Sequence, residues 1–253
     1  MLKTFIAFLL LPLMLSGCWD KKDKQQELVL GTSLDNMPFE FLRNGEPTGF
    51  DIELAKLIAK RMNRKLVIRD LPFDGLLAAL QTGQVDIAIA ALSPTPERRM
   101  AVDFSISYHA TDWAIICPKT TAFNSLDDMR NKTIGVQMGS SFEPYVKKEM
   151  APALNAEVRT LNKVVDLIQD MKSGRLDFII TSKSVADSFA ATNKEYQAIV
   201  ITKFIPKDRY ENFAIALPKG SKLTAEVNAT LEELISRGRL DDLAKIWLDS
   251  LIS

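Results

Sequence analysis

Histidine and cysteine are nearly absent from this 253-residue chain. One histidine, His109, and two cysteines, Cys18 and Cys117, leave no Cys/His cluster of the kind that holds zinc. Neither sign of charge is in excess: 32 basic side chains meet 32 acidic ones, and no basic stripe marks a nucleic-acid surface. The nucleophile elbow G-x-S-x-G is missing around Ser140 and Ser141, and no Walker lysine follows Gly139. Acyl and phosphoryl transfer therefore have no motif, and His109 has no evident nucleophile partner. Asp51, Glu53, Asp86, Asp103 and Asp177 are available carboxylates, but no spacing pairs two of them as acid and base. Surface or capping roles come first for these acids, and no catalytic residue, metal or cofactor is expected. The uncharged run 4–15 is too short for a permanent membrane span.

That run, preceded by Lys3 and followed by Ser16-Gly17-Cys18, predicts a secretion signal over residues 1–17. The residues LSGC resemble the bacterial lipoprotein signal, which implies that Cys18 receives lipid and becomes the mature N-terminus. An ordinary signal cut near Gly17 is the other reading. Residues 18–27 then form the lipidated N-terminus and a polar leash, WDKKDKQQ at its heart. Loss of Lys3 with the leader leaves a net charge of about −1. With Cys18 lipidated, Cys117 has no partner for an intramolecular disulfide. About 230 residues remain, a length at which chains divide into two lobes.

Strand and helix signals alternate from residue 28 onward, which predicts an α/β fold with mostly parallel sheets. Ile52, Leu54, Ala55, Leu57, Ile58 and Met62 follow a helical period. Residues 34–41 read as a loop carrying aromatics, and Asn44-Gly45 as a turn. Segment 76–90, LLAALQTGQVDIAIA, resembles segment 166–180, DLIQDMKSGRLDFII. Gly83 matches Gly174 and Asp86 matches Asp177, both at an offset of 91 residues. Each copy reads as helix, glycine stop and strand, so two lobes of like construction are expected. The first comprises 28–107 plus 212–253 and the second 113–205, with hinge crossovers at 108–112 and 206–211.

Residues 83–108, GQVDIAIAALSPTPERRMAVDFSISY, carry the clearest chemical signal. Val85 and the apolar run 87–92 predict one buried strand ending at Ser93. Thr95 before Pro96 reads as an N-cap with proline at the first helical position. The amides and dipole of that helix start favour an anion, and Ser93, Thr95 and Arg98 add donors. A solvated helix start with a surface arginine fits the same residues. Four predicted strand ends, at 31–33, 91–93, 137–141 and 181–182, deliver small or polar residues where open parallel sheets gather ligands.

GTSLDNMPFEF (31–41), GEPTGFDIELAKLIAKRM (45–62) and 73–108 resemble the polar-amino-acid family of ABC-transporter substrate-binding proteins, the extracellular solute-binding proteins of family 3. The resemblance spans residues 28–248. It implies a two-lobed type 2 periplasmic-binding-protein fold with mixed, mostly parallel sheets and two hinge crossovers. It also implies a monomeric lipoprotein on the periplasmic side of the envelope, anchored through Cys18. Such a protein captures a polar amino acid, glutamine-like or basic, and delivers it to an ABC permease in the inner membrane. The family's carboxylate clamp falls on Ser93 and Arg98, where arginine offers the bidentate geometry lysine lacks. Its ammonium acceptor falls on the Ala91 backbone, its aromatic shelf on Phe73, and its second-lobe contacts on Gln137, Ser140 and Ser141. Ser33 and Asn36 fall at the side-chain end of the ligand. Two positions depart from the family: Ser182 stands where relatives carry an aspartate for the α-ammonium, and Asn36 where an aromatic is common. Asp35 is placed to offset the second change for a cationic ligand. The same fold also implies two rivals, a small-carboxylate dehydratase and a periplasmic sensor subunit.

Overall fold

The computed structural model describes residues 25–206 and 211–249; the leader, Cys18, the start of the leash and part of the second crossover lie outside them. Two five-stranded sheets carry the fold. The first has the strand order Lys65–Asp70, Glu27–Thr32, Ile87–Ala88, Glu211–Leu217, Asp103–Thr111. The second runs Glu157–Leu161, Thr133–Gln137, Phe178–Ser182, Trp113–Pro118, Tyr196–Val200. In each, the first three strands are parallel and the last two join antiparallel, so the pairings divide evenly.

The 91-residue repeat is a physical one. Asp86 accepts from the Val29 amide at 2.8 Å, and Asp177 accepts from the Thr133 amide at 2.9 Å. The same aspartates donate their own amides back, to the carbonyls of Val29 and Thr133. Each acid thus straps the third strand of its unit to the first. Both helices preceding these strands, Leu76–Gln81 and Val164–Lys172, stop just before their glycine.

Helix Phe50–Arg61 buries Phe50, Ile52, Leu54, Ala55 and Ile58 against Leu28, Leu30 and Ile87 of the first sheet. Asp51 lies on that buried face too, with no accessible surface. The second lobe has its own core around Trp113, Ile134, Val136 and Phe178. The strands Asp103–Thr111 and Glu211–Leu217 pair with each other up to Thr111 opposite Glu211, so the crossings leave the first lobe side by side. Among the described residues no helix is long and apolar enough to cross a membrane.

Two local expectations give way. Residues 34–41 are not a plain loop: Asp35–Asn36, Glu40–Arg43 and Glu46–Thr48 form a small antiparallel sheet. Asn36 lies opposite Glu40 in its register, and the Asn44-Gly45 turn closes the second hairpin with both residues at positive φ. A two-residue strand is too short to leave a period-two trace in sequence. The apolar run 87–92 likewise ladders only over Ile87–Ala88. Ala91 adopts φ 47°, a left-handed conformation rare for a residue with a side chain, and turns its amide onto Asp51.

Candidate functional site

The first lobe builds its half of the site where helix Pro96–Ala101 begins. Thr95 caps it as expected, its hydroxyl accepting from the Arg98 amide at 3.3 Å with Pro96 next in line. This cap is worth about 1 kcal/mol and fixes the turn from which Arg98 projects. The Arg98 guanidinium donates to the Ser93 carbonyl at 2.7 Å and lies 5.5 Å from the centre of the Phe73 ring. It also reaches across the cleft, donating to the Gly139 carbonyl of the second lobe at 2.9 Å. Arg98 is therefore held from both lobes.

Beside it, Asn36, Phe73, Ala91, Gln137, Ser140 and Ser182 line an inner cavity of about 30 Å³ together with Ser141 and Thr181. That volume suits roughly two waters. Ser93 and Arg98 line an adjoining outer groove of about 630 Å³, and Ser140 and Ser141 line both spaces. The Ser140 hydroxyl is buried with no hydrogen-bond partner among the described residues, which marks it as a donor awaiting an acceptor. Ser33 is not brought into the cavity. It borders a separate hollow with Asp35, Asp70 and Lys163, and its hydroxyl donates to Asp35 at 2.9 Å.

Ser182 caps helix Lys183–Thr192, its hydroxyl oxygen accepting from the Val185 amide at 3.4 Å. It lines the cavity as a neutral group, so no formal charge stands there. The acids that do stand near were hidden in the sequence. Ala91 donates to Asp51 at 2.7 Å, the Tyr108 hydroxyl donates to the same oxygen at 2.9 Å, and Asn36 donates to Glu40 at 3.0 Å. Glu40 and Asp51 are fully buried and act on each other's protonation, with no basic group among the described residues that influence either. Burial and the charge of Asp51 push Glu40 well above the carboxylate range. Burial lifts Asp51 to about 6 against the pull of the Ala91 and Tyr108 hydrogen bonds. One proton between them gives Glu40 Oε2 and Asp51 Oδ1, otherwise orphaned, a partner each. Asp51 was visible only as one acid among many, and nothing in the sequence spacing says that Glu40 faces it.

Asp35 does not face the cavity. Its carboxylate accepts from the Val164 amide of the second lobe at 3.0 Å, capping helix Val164–Lys172 from across the cleft. His109 sits among Phe39, Phe50 and Phe213, its ring 3.5 Å from the Ser184 hydroxyl, and burial lowers it to about 4. It takes no part in the cavity.

Two like-built lobes, joined by paired crossings and holding an arginine and the unmet Ser140 hydroxyl at their cleft, define a protein built to take a small solute between them. The model of the bacterial extracellular solute-binding proteins, family 3, matches residues 28–250, and the chain belongs to that family. It is 37% identical over 223 residues to the arginine-binding extracellular protein ArtP of Bacillus subtilis, covering 88% of this chain and 86% of that protein. The glutamine-binding protein GlnH of the same organism is 30% identical, over 88% of this chain and 81% of its own length. Among solved structures, an ancestral arginine-binding protein bound to arginine superposes with a TM-score of 0.80 at 34% identity, covering 88% of this chain and 98% of that one. A similar ancestral amino-acid-binding protein is described as a precursor of a dehydratase. The named relatives are binding proteins, and this chain is a binding protein rather than an enzyme.

Proposed function

We propose that this protein captures an amino acid whose side chain ends in N–H groups, arginine first and glutamine second, and delivers it to an ABC permease. Support comes first from Arg98, anchored at the Ser93 strand end, stacked over Phe73 and set beside the unmet Ser140 hydroxyl of the other lobe. An α-carboxylate fits this corner because a planar guanidinium presents parallel N–H groups that match both oxygens of a carboxylate. The buried Asp51 behind Ala91 supplies the negative field that Ser182 does not. The relatives named for arginine and glutamine agree with that polarity. In this reading 28–107 with 212–253 and 113–205 are the moving lobes, and 108–112 with 206–211 bend as hinges. Lipid on Cys18 holds the monomer on the periplasmic side of the cell envelope.

Calorimetric titration of Arg98→Ala with L-arginine and L-glutamine tests the corner. Affinity for both is expected to fall by about 100-fold, equivalent to about 3 kcal/mol, with the free protein still folded. Binding within about twofold of the parent protein removes Arg98 from the ligand's carboxylate.

A further inference from the structure

Asn36 stands where the family commonly has an aromatic, and the structure gives it a fixed orientation. Its strand pairs it with Glu40, and its side-chain nitrogen donates to Glu40 Oε1 at 3.0 Å, away from the cavity it lines. With one N–H given to Glu40 behind the wall, the amide oxygen is the acceptor end that Asn36 offers a ligand. Glu40 can hold it that way because Glu40 is itself held. Among the described residues Glu40 Oε2 and Asp51 Oδ1 are buried without a partner, and Asp51 spends its second oxygen on the Ala91 amide and the Tyr108 hydroxyl. A proton on Glu40 Oε2 directed at Asp51 leaves Oε1 as a pure acceptor, which selects the nitrogen of Asn36 and not its oxygen. On the facing lobe, Gln137 repeats the arrangement: its nitrogen donates to the Asn162 carbonyl at 3.2 Å while the residue lines the cavity. Two amides from two lobes thus have their nitrogens tied back.

We propose that Asn36, oriented by Glu40, is the specificity-determining residue that accepts from the N–H groups of the ligand's side chain, with Gln137 as a second acceptor. The proposal rests on the amino-acid reading above and deepens it to a class: guanidinium or carboxamide side chains, against apolar side chains of the same length. An aromatic at this position selects by stacking, whatever polar group the ligand carries at its tip. An oriented amide oxygen selects by the ligand's donors.

The test is titration of the full chain, Asn36→Leu, Glu40→Gln and Glu40→Leu with L-arginine, L-glutamine and L-norleucine. The parent protein is expected to rank the two N–H-bearing ligands above norleucine by about tenfold or more. In Asn36→Leu that margin closes: arginine and glutamine lose about tenfold, and norleucine stays within about threefold or gains. Glu40→Gln keeps the parent ranking, since its carboxamide oxygen accepts from Asn36 while its nitrogen donates to Asp51. Glu40→Leu moves the ranking toward that of Asn36→Leu. Equal losses for all three ligands in Asn36→Leu, or an unchanged margin, overturn the proposal. A ranking lost in Glu40→Gln overturns the role of Glu40, and that variant decides should Glu40→Leu fail to fold. A parent protein that binds none of the three fails the amino-acid reading itself, and Arg98→Ala reports on that reading independently of the side chain.

Discussion

Burial holds the Asp51 carboxyl at about 6, so between about 4 and about 6 the folded protein binds more protons than the unfolded chain. That contribution to stability falls as pH rises through the window, and Glu40, raised further by burial, adds the same sign at higher pH. His109 acts in the opposite sense. Burial holds it at about 4, the unfolded imidazole titrates near 6.5, and its contribution is lost as pH falls through that interval. In His109→Asn the urea midpoint is expected to fall more steeply than the parent's from pH 4.5 to 6, and in Asp51→Asn less steeply, since Glu40 keeps its own contribution of the same sign. Parallel profiles in the parent and both variants would contradict this assignment. These residues also show where sequence reading stops. Arg98 was legible because Ser, Thr-Pro and Arg occur together at a strand end. Glu40 and Asp51 were not, because a carboxylate in a sequence carries no mark of the burial that makes it unusual.

Among the elements, helix Val164–Lys172 depends on the other lobe for its start. Lys163 at its N-cap gives no side-chain hydrogen bond, and the Asp35 carboxylate does the capping from across the cleft. If the lobes part as proposed, this bond is made only in the closed form and adds to it alone. Asp35→Ala is expected to weaken ligand binding by about 1 kcal/mol, seen as a ligand dissociation rate about fivefold faster in stopped-flow competition. An unchanged dissociation rate would make the contact incidental. The helix itself was legible in the sequence through its match with segment 76–90, since a glycine stop and a strapping aspartate recur with it. The small sheet that aims Asn36 and Asp35 was not, because strands of two to four residues leave no periodicity, and Ser33 was misplaced with them.

For the molecule as a whole, the two lobes come close backbone to backbone at Gly139. It sits at φ 73°, and a Cβ there would come within 2.9 Å of the Asp74 Cβ and 3.1 Å of its Cα. Gly139→Ala meets both a strained backbone and this contact, so closure is obstructed while each lobe keeps its own core. Small-angle scattering with saturating L-arginine is expected to show compaction of the parent protein and a reduced or absent compaction of this variant. Full compaction of the variant would show that the approach has slack. The two-lobed plan itself was readable from the repeat and the family motifs, while the point at which the lobes touch was not, because it joins segments with no common pattern.

The same approach has a consequence for the transporter. Backbone resting on the root of a side chain is incompressible, so in the proposed closure the stopping angle would be set by Gly139 and Asp74 rather than by the solute inside. On the proposed function, arginine and glutamine, different in length and charge, would produce one outer contour. A membrane partner that recognises the contour is told that a passenger is aboard without being told which.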